Sequence, residues 1–147
     1  MLSLQEPPLK TEVISYVMPV KNEQRYLQKA IQSILDQPLN DSYRKEIIIA
    51  LAPSKDKTAS IAKELSKKHP EIVLVENPVS STSAGLNKAI DVASGNIVIR
   101  VDAHSELSSD YSSSAIEILR QTKAANVGGL MKAEGETPFQ KAVAWGY

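Results

Sequence analysis

The 147-residue sequence contains no cysteine, which excludes disulfide bonds and thiolate metal sites and is consistent with a reducing compartment. It has no excess of either charge, since 17 basic and 17 acidic residues cancel, and this argues against a general nucleic-acid binder. It also lacks any apolar run near the roughly 18 residues of a membrane span, and its N-terminus lacks the features of a signal peptide. We therefore expect a soluble, cytoplasmic domain with a sizeable core.

Short apolar runs alternate with amphipathic stretches along the chain. Residues 1–12 predict a flexible arm and residues 13–147 the domain. Strands are predicted at 13–18 (ended by Pro19), 46–51, 72–75, from Ile97 and from Val127. Helices are predicted at 27–35, from an N-cap at Thr58 to before Pro70, from Ser83 with Gly95 at its C′ position, and at 110–123 with its apolar face at Tyr111, Ala115, Ile118 and Leu119. This alternation predicts an α/β fold, with a mostly parallel sheet covered by helices on both faces.

The predicted fourth strand ends abruptly at an acid and a histidine, Asp102 and His104. Open α/β sheets bind ligands in the crevice at the carboxyl ends of their strands. In extended chain, residues at i and i+2 point to the same side, so the two side chains could hold one divalent cation and leave room for a phosphate oxygen. The alternative is that Asp102 caps a turn and that His104 is an ordinary loop residue.

Such a sheet suggests a nucleotide ligand, yet both common glycine-rich phosphate signatures are absent from the sequence. A metal ion that bridges the protein and a diphosphate is the natural substitute for a glycine-rich loop.

A set of motifs resembles the family 2 inverting glycosyltransferases. The opening strand with P-x-x-N-E and the following helix correspond to Pro19, Asn22, Glu23 and the stretch up to Gln37. Further matches follow in the family's order and spacing: Glu46–Ile49, Ser54-x-Asp56-x-Thr58, Asn87, Ala93-x-Gly95 and Val101-Asp102-Ala103-His104. The Asp-Ala-His variant, followed by residues 137–143, is most similar to the succinoglycan-type enzymes of bacterial polysaccharide synthesis.

The resemblance implies a GT-A (Rossmann-like) fold, a nucleoside-diphosphate sugar donor, and Mn²⁺ or Mg²⁺ held by Asp102 and His104. An imidazole ligand suits Mn²⁺ better than Mg²⁺. It further implies a carbohydrate or lipid-linked acceptor, with membrane association only in a longer protein. The donor nucleotide would be bound by Pro19, Asn22, Glu23, Asn87, Asp102 and Ala103.

Three positions depart from the family pattern. Leu51 and Ala52 replace the acids that commonly end the second strand and read the base, so a preference for uracil is in doubt. Leu86 replaces an arginine that approaches the diphosphate, and Lys88 is either its substitute or a solvated lysine.

Arg100 is expected to be buried and to pair with a carboxylate or with the donor phosphate. Phe139, Trp145 and Tyr147 are read as core or acceptor-facing residues.

No acid after His104 matches the family's later catalytic motif, so the general base is expected beyond Tyr147. The sequence therefore predicts the donor-binding part of a longer glycosyltransferase, with a sheet fold incomplete at its C-terminus. Two other functions stay open, namely a non-catalytic nucleotide-binding module and a nucleotidyltransferase. The latter would normally carry a glycine-rich basic loop after strand one, and residues 19–23 contain no glycine.

Overall fold

The computed structural model describes residues 11–135 and 137–145. Four strands alternate with helices, and two helices follow the last strand: β1 (Glu12–Val20), α1 (Leu27–Leu35), β2 (Tyr43–Leu51), α2 (Thr58–Lys68), β3 (Ile72–Glu76), α3 (Thr82–Val92), β4 (Ile97–Arg100), α4 (Tyr111–Thr122) and α5 (Pro138–Ala144). The strands form one parallel sheet in the order β3-β2-β1-β4. The predicted α/β class and parallel sheet are confirmed. In the described part of the chain, no helix is both long enough and apolar enough to span a bilayer.

The two central strands carry the core. Val17 of β1 and Ile48 and Ala50 of β2 pack with Ala89 of α3, and Leu86 lies against this cluster. The intervening residues point to the opposite face of the sheet and are also buried: Tyr16, Met18, Ile47 and Ile49. Burial on both faces explains why β1 and β2 are continuously apolar in sequence rather than alternating.

A polar cluster around Glu46 closes the amino-terminal end of the sheet. The Glu46 carboxylate accepts hydrogen bonds from the Ser15 hydroxyl and from both the backbone N–H and the hydroxyl of Ser94. The backbone N–H of Gly95 donates to Glu46 at 3.3 Å and to Ser15 at 2.9 Å. Gly95 is required because a Cβ there would lie 2.3 Å from the carbonyl oxygen of Val13. Burial raises the pKa of Glu46, but these hydrogen bonds outweigh it and bring the pKa below its ordinary value.

The chain divides into two compact units, one ending at Ser113 and one beginning at Ser114. The first contains the sheet and α1 to α3. The second contains most of α4 and the short helix α5, whose capping box joins Thr137 and Gln140 through reciprocal hydrogen bonds. Phe139 and Trp145 in this unit are 79% and 93% exposed, so neither is a core residue of the described structure. Tyr147 lies outside the described residues.

Both early strands are longer than predicted. Pro19 does not end β1, which runs on to Val20 beside β2. The carbonyl of Val17 accepts from Val101 on the β4 side, so the nitrogen of Pro19, two residues on, faces that side too, beyond the end of β4 at Arg100. The missing N–H of proline therefore breaks no ladder hydrogen bond. Residues 43–45, which precede the predicted strand at 46–51, join β2 because they pair with residues 12–14.

Other predicted boundaries also change. Glu12 belongs to β1 rather than to the arm, whose first ten residues lie outside the described structure. Gly95 is not the C′ residue of α3, since the helix has its C-cap at Ala93. No strand begins at Val127, because the described residues from Ala124 to Gly135 form neither helix nor strand. On α4 the buried residues are Ser112 and Ile116, whereas Ile118 is exposed.

Candidate donor-binding site

One pocket of about 220 Å³ lies where the carboxyl ends of the strands meet. Every strand contributes to its lining, directly or through the residues that follow it. These are Pro19 to Lys21 at the end of β1, Ala52 after β2, Asn77 after β3, and Arg100, Asp102, Ala103 and His104 at the end of β4 and just beyond it. The N-terminus of α3, from Ser80 to Thr82, completes the wall. The parallel topology thus brings together polar residues that are far apart in sequence, at the edge where α/β sheets bind ligands.

Asp102 enters this pocket next to a cation. Both Nε and Nη2 of Arg100 donate to Oδ1 of Asp102, each at 3.1 Å. The Arg100 side chain is 56% exposed and that of Asp102 39% exposed, so the expected burial of Arg100 is wrong, whereas its pairing with a carboxylate is observed. Arg100 is the last residue of β4 and Asp102 follows two positions later, the spacing at which side chains of extended chain point to one side.

His104 reaches across the pocket to the loop after β1. Its Nδ1 lies 3.1 Å from Oε1 of Glu23, and the Glu23 side chain is only 21% exposed. When Nδ1 carries the proton and donates it to Glu23, Nε2 keeps a free lone pair. A carboxylate in this relation to an imidazole fixes the tautomer and the ring orientation of metal-binding histidines.

Glu23 is itself held by the start of α2. Its backbone N–H donates to Oγ1 of Thr58 at 2.8 Å, and the Thr58 hydroxyl donates to Oδ1 of Asp56. The pKa of Asp56 lies below its ordinary value, chiefly because of this hydrogen bond. Thr58 is therefore not the N-cap, which is Lys57, but the first residue of α2 and a buried contact of the Glu23 loop.

Asn22 ties the loops after β1 and β2 together. Its Oδ1 accepts from the backbone N–H of Lys55 at 2.8 Å, and its own N–H donates to the Ser54 hydroxyl at 3.0 Å. It adopts the left-handed region, with φ of 56°, which asparagine tolerates better than most residues. Asn22 is not among the residues that line the pocket, and these contacts give it a structural role in placing Glu23.

Asn77 is a pocket residue that the sequence reasoning missed. It is 2% exposed, its Nδ2 donates to the Ser81 carbonyl at 3.0 Å, and its Oδ1 has no hydrogen-bond partner among the described residues. Buried side-chain acceptors are normally satisfied, so this unpartnered oxygen in a pocket-lining residue marks Asn77 as a candidate ligand contact, although the oxygen itself is shielded from solvent. Gly85 permits this arrangement, since a Cβ there would lie 2.8 Å from Asn77 Nδ2. An isolated asparagine after a strand carries no sequence signal for such a role.

The remaining predicted positions divide between the pocket and its surroundings. Pro19 and Ala103 line the pocket, and both Asp102 and His104 do so as well. Asn87 is exposed on α3 outside the pocket lining, and Lys88 is likewise exposed there. Ala52, which stands where the family pattern has an acid, lines the pocket. The wall at this position is apolar rather than charged.

The pocket contains few side chains that could bind a divalent cation. Among the described residues, no group of three or more histidine, cysteine, aspartate or glutamate side chains is arranged to hold a metal ion. Asp102 and His104 offer one oxygen and one nitrogen ligand in the same pocket. Two such ligands fit a cation whose remaining positions are filled by phosphate oxygens and water.

The chain matches the family model described as Glycosyl transferase family 2 over residues 15–145. It is 30% identical over 131 residues to the succinoglycan biosynthesis protein ExoA of Rhizobium meliloti, covering 88% of this chain and 39% of that protein. It is 32% identical over 125 residues to a GalNAc(5)-diNAcBac-PP-undecaprenol beta-1,3-glucosyltransferase of Campylobacter jejuni, covering 83% and 40%. The chain thus spans about two fifths of the length of these relatives.

Solved structures share the fold. TarS 1-349 of Staphylococcus aureus superposes with a TM-score of 0.66 at 16% identity, covering 82% of this chain and 39% of that one. A mannosyltransferase of Pyrobaculum calidifontis, solved with GDP-Man and Mn²⁺, gives a TM-score of 0.62 at 24% identity, covering 72% and 32%. The predicted GT-A fold is confirmed. With its family-model match from β1 to α5, the chain belongs to glycosyl transferase family 2.

Proposed function

We propose that this chain supplies the donor site of a glycosyltransferase that moves a sugar from a nucleoside-diphosphate sugar to an acceptor hydroxyl. The observation that carries the proposal is the pocket at the carboxyl ends of all four strands, with Asp102 and the His104–Glu23 pair on its wall. Family membership favours glycosyl transfer over nucleotidyl transfer. A non-catalytic nucleotide-binding module remains the second candidate, since the chain spans only part of its relatives.

Four pocket residues have proposed roles. Asp102 and His104 hold Mn²⁺ or Mg²⁺, and Glu23 acts as a positioning residue that orients His104. Asn77 accepts a hydrogen bond from the nucleobase through its unpartnered Oδ1, beside the apolar wall at Pro19 and Ala52. A divalent cation bound there would neutralise charge on the departing diphosphate.

The base, the acceptor and the location are proposals as well. The general base of an inverting reaction would deprotonate the acceptor hydroxyl, and we place it outside this chain. The acceptor is a carbohydrate or a lipid-linked sugar, the latter supported by the undecaprenol-linked name of the Campylobacter relative. The protein would then work in the cytoplasm, at the membrane surface when its acceptor is lipid-linked.

Calorimetry of the 147-residue chain with UDP, GDP and CDP, with and without Mn²⁺, tests the donor site. We expect metal-dependent binding of at least one diphosphate, and a preference for UDP over the others below about a hundredfold, or about 2.7 kcal/mol. A stronger preference would mean that a residue other than the missing acids reads uracil. Absence of any metal-dependent binding would overturn the donor site.

A transfer assay with labelled sugar nucleotides and a panel of acceptors tests the placement of the base. The chain alone should bind donor without transferring sugar. Turnover near the enzyme range, about 1 per second or more, would place the general base within these residues. Sugar-nucleotide hydrolysis or transfer by a longer protein that includes this chain would exclude the non-catalytic module.

A further inference from the structure

Arg100 is a cation in the pocket, and its ion-pair partner, Asp102, is a proposed metal ligand. Its guanidinium makes two hydrogen bonds, and both go to Oδ1 of Asp102. No group in the described residues donates to Oδ2 of that carboxylate. Both side chains line the pocket, so the pair occupies the place where the donor site is proposed.

The ion pair between Arg100 and Asp102 can separate at small cost. Both side chains are substantially exposed, and exposed ion pairs contribute little to stability and separate at small cost. A divalent cation carries twice the charge of a guanidinium and binds a carboxylate oxygen directly. A cation bound to Asp102 would compete with the guanidinium for the charge of this carboxylate. The displaced guanidinium would stay in the pocket on a long, flexible side chain.

A released guanidinium fits a diphosphate better than the other pocket cation does. A guanidinium presents N–H groups in a planar fork that matches phosphate oxygens, whereas Lys21 offers a compact ammonium. Among the described residues, Arg100 is the pocket's sole guanidinium. Arg100 is the last residue of β4, so pairing with Val17 fixes the position of its Cα.

We propose that Arg100 exchanges between two partners, Asp102 in the metal-free protein and the donor diphosphate once a divalent cation occupies Asp102. The inference rests on the proposed donor site and adds to it a diphosphate-binding residue that competes with the metal. It predicts opposite effects of one substitution on two ligands, which a simple structural role of Arg100 would not produce.

The experiment compares Arg100→Gln, Arg100→Lys and a control, Lys68→Gln, which removes an exposed ion pair with Glu64 on α2. Electron paramagnetic resonance of free Mn²⁺ measures binding of the metal alone. Calorimetry at saturating Mn²⁺ measures binding of the nucleoside diphosphate and of the nucleoside without phosphate. Circular dichroism verifies that each variant is folded.

Arg100→Gln should bind Mn²⁺ alone about fivefold more tightly and bind the diphosphate about tenfold more weakly, with nucleoside affinity unchanged. Arg100→Lys should lie between wild type and Arg100→Gln on both measures, and Lys68→Gln should match wild type. Unchanged or weaker Mn²⁺ binding in Arg100→Gln would overturn the competition, and unchanged diphosphate affinity would overturn the exchange. Loss of diphosphate binding by the wild-type chain itself would instead overturn the proposed donor site and this inference with it.

Discussion

The two ends of the parallel sheet hold their carboxylates in opposite ways. At the amino-terminal end, Glu46 receives hydrogen bonds from Ser15, Ser94 and Gly95 and is half-buried. At the carboxyl-terminal end, the Asp102 carboxylate accepts side-chain hydrogen bonds from Arg100 and from no other described residue, and it faces an open pocket. The same side-chain chemistry is saturated at one end and left available at the other.

This difference separates a structural acid from a ligand-binding one. Fully satisfied polar groups rigidify a fold, while groups with spare hydrogen-bonding capacity are free to meet a ligand. Asn77 fits the same division, because its unpartnered oxygen lies at the pocket end. We therefore expect substitutions at the two ends to affect different properties.

The largest effect is expected from Asp102→Asn. It removes the proposed anionic metal ligand, so Mn²⁺-dependent binding of nucleoside diphosphate should fall by more than about a hundredfold, beyond the loss typical of outer contacts. The free energy of unfolding, measured by thermal denaturation, should change by less than about 0.5 kcal/mol, because the side chain is partly exposed. Asp91→Asn, at an exposed position on α3, is the control. A folded Asp102→Asn protein with wild-type affinity would remove the distinction between the two ends.

Gly85→Ala tests the pocket end by crowding. The new Cβ would lie 2.8 Å from Asn77 Nδ2 and 3.1 Å from Pro19 Cβ, so it should destabilise the fold by about 1–3 kcal/mol. It should also weaken nucleotide binding equally with and without Mn²⁺, since it displaces the proposed base contacts and not the metal ligands. Gly128→Ala, where a Cβ meets no atom within 4 Å, is the control. Calorimetry and chemical denaturation give both values, and unchanged nucleotide affinity would separate Asn77 from the site.

Glu46→Gln should leave ligand binding unchanged and lower the free energy of unfolding by about 1–3 kcal/mol, because bonded donors lose a charged acceptor. The pKa of Glu46 is lowered in the folded state from its ordinary value of 4.5. Its stabilisation is therefore complete above about pH 4.5 and is lost as the pH falls through the folded-state pKa. Denaturation between pH 3 and pH 7 should show a weaker acid dependence in the variant. The control is Glu64→Gln, on an exposed pair, and an unaltered pH dependence would contradict the structural role of Glu46.

The smallest effect is expected from Glu23→Gln. This substitution weakens the orientation of His104 but keeps both proposed metal ligands, so Mn²⁺ affinity should fall by about tenfold. Titration with Mn²⁺ measures it, with Glu106→Gln in the same loop as His104 for comparison. A loss as large as that of Asp102→Asn would make Glu23 a direct ligand rather than a positioning residue.

Much of the fold follows from local patterns. The stripe of Leu27, Ile31 and Ile34 places α1 because helical periodicity is a property of neighbouring residues. A local pattern also locates the pocket, because the apolar run from Ile97 predicts a strand and Asp102 follows that strand. The predicted end of β1 before Pro19 and the predicted start of β2 at Glu46 were wrong, because strand bounds depend on which strand lies alongside, and local periodicity does not contain that information.

By itself, the sequence determined the alternation of strands and helices, the family, and the placement of Asp102 and His104 after the last strand. Only the tertiary structure decided which partners these residues have: Glu23 for His104, 81 positions away in sequence, and Thr58 for Glu23, 35 positions away. It also decided that Asn77 has an oxygen with no hydrogen-bond partner in the described part of the chain, and that Arg100 is exposed. The physical reason is that the strand order β3-β2-β1-β4 gathers distant strand ends at one edge, and hydrogen bonds there depend on distances in space rather than along the chain.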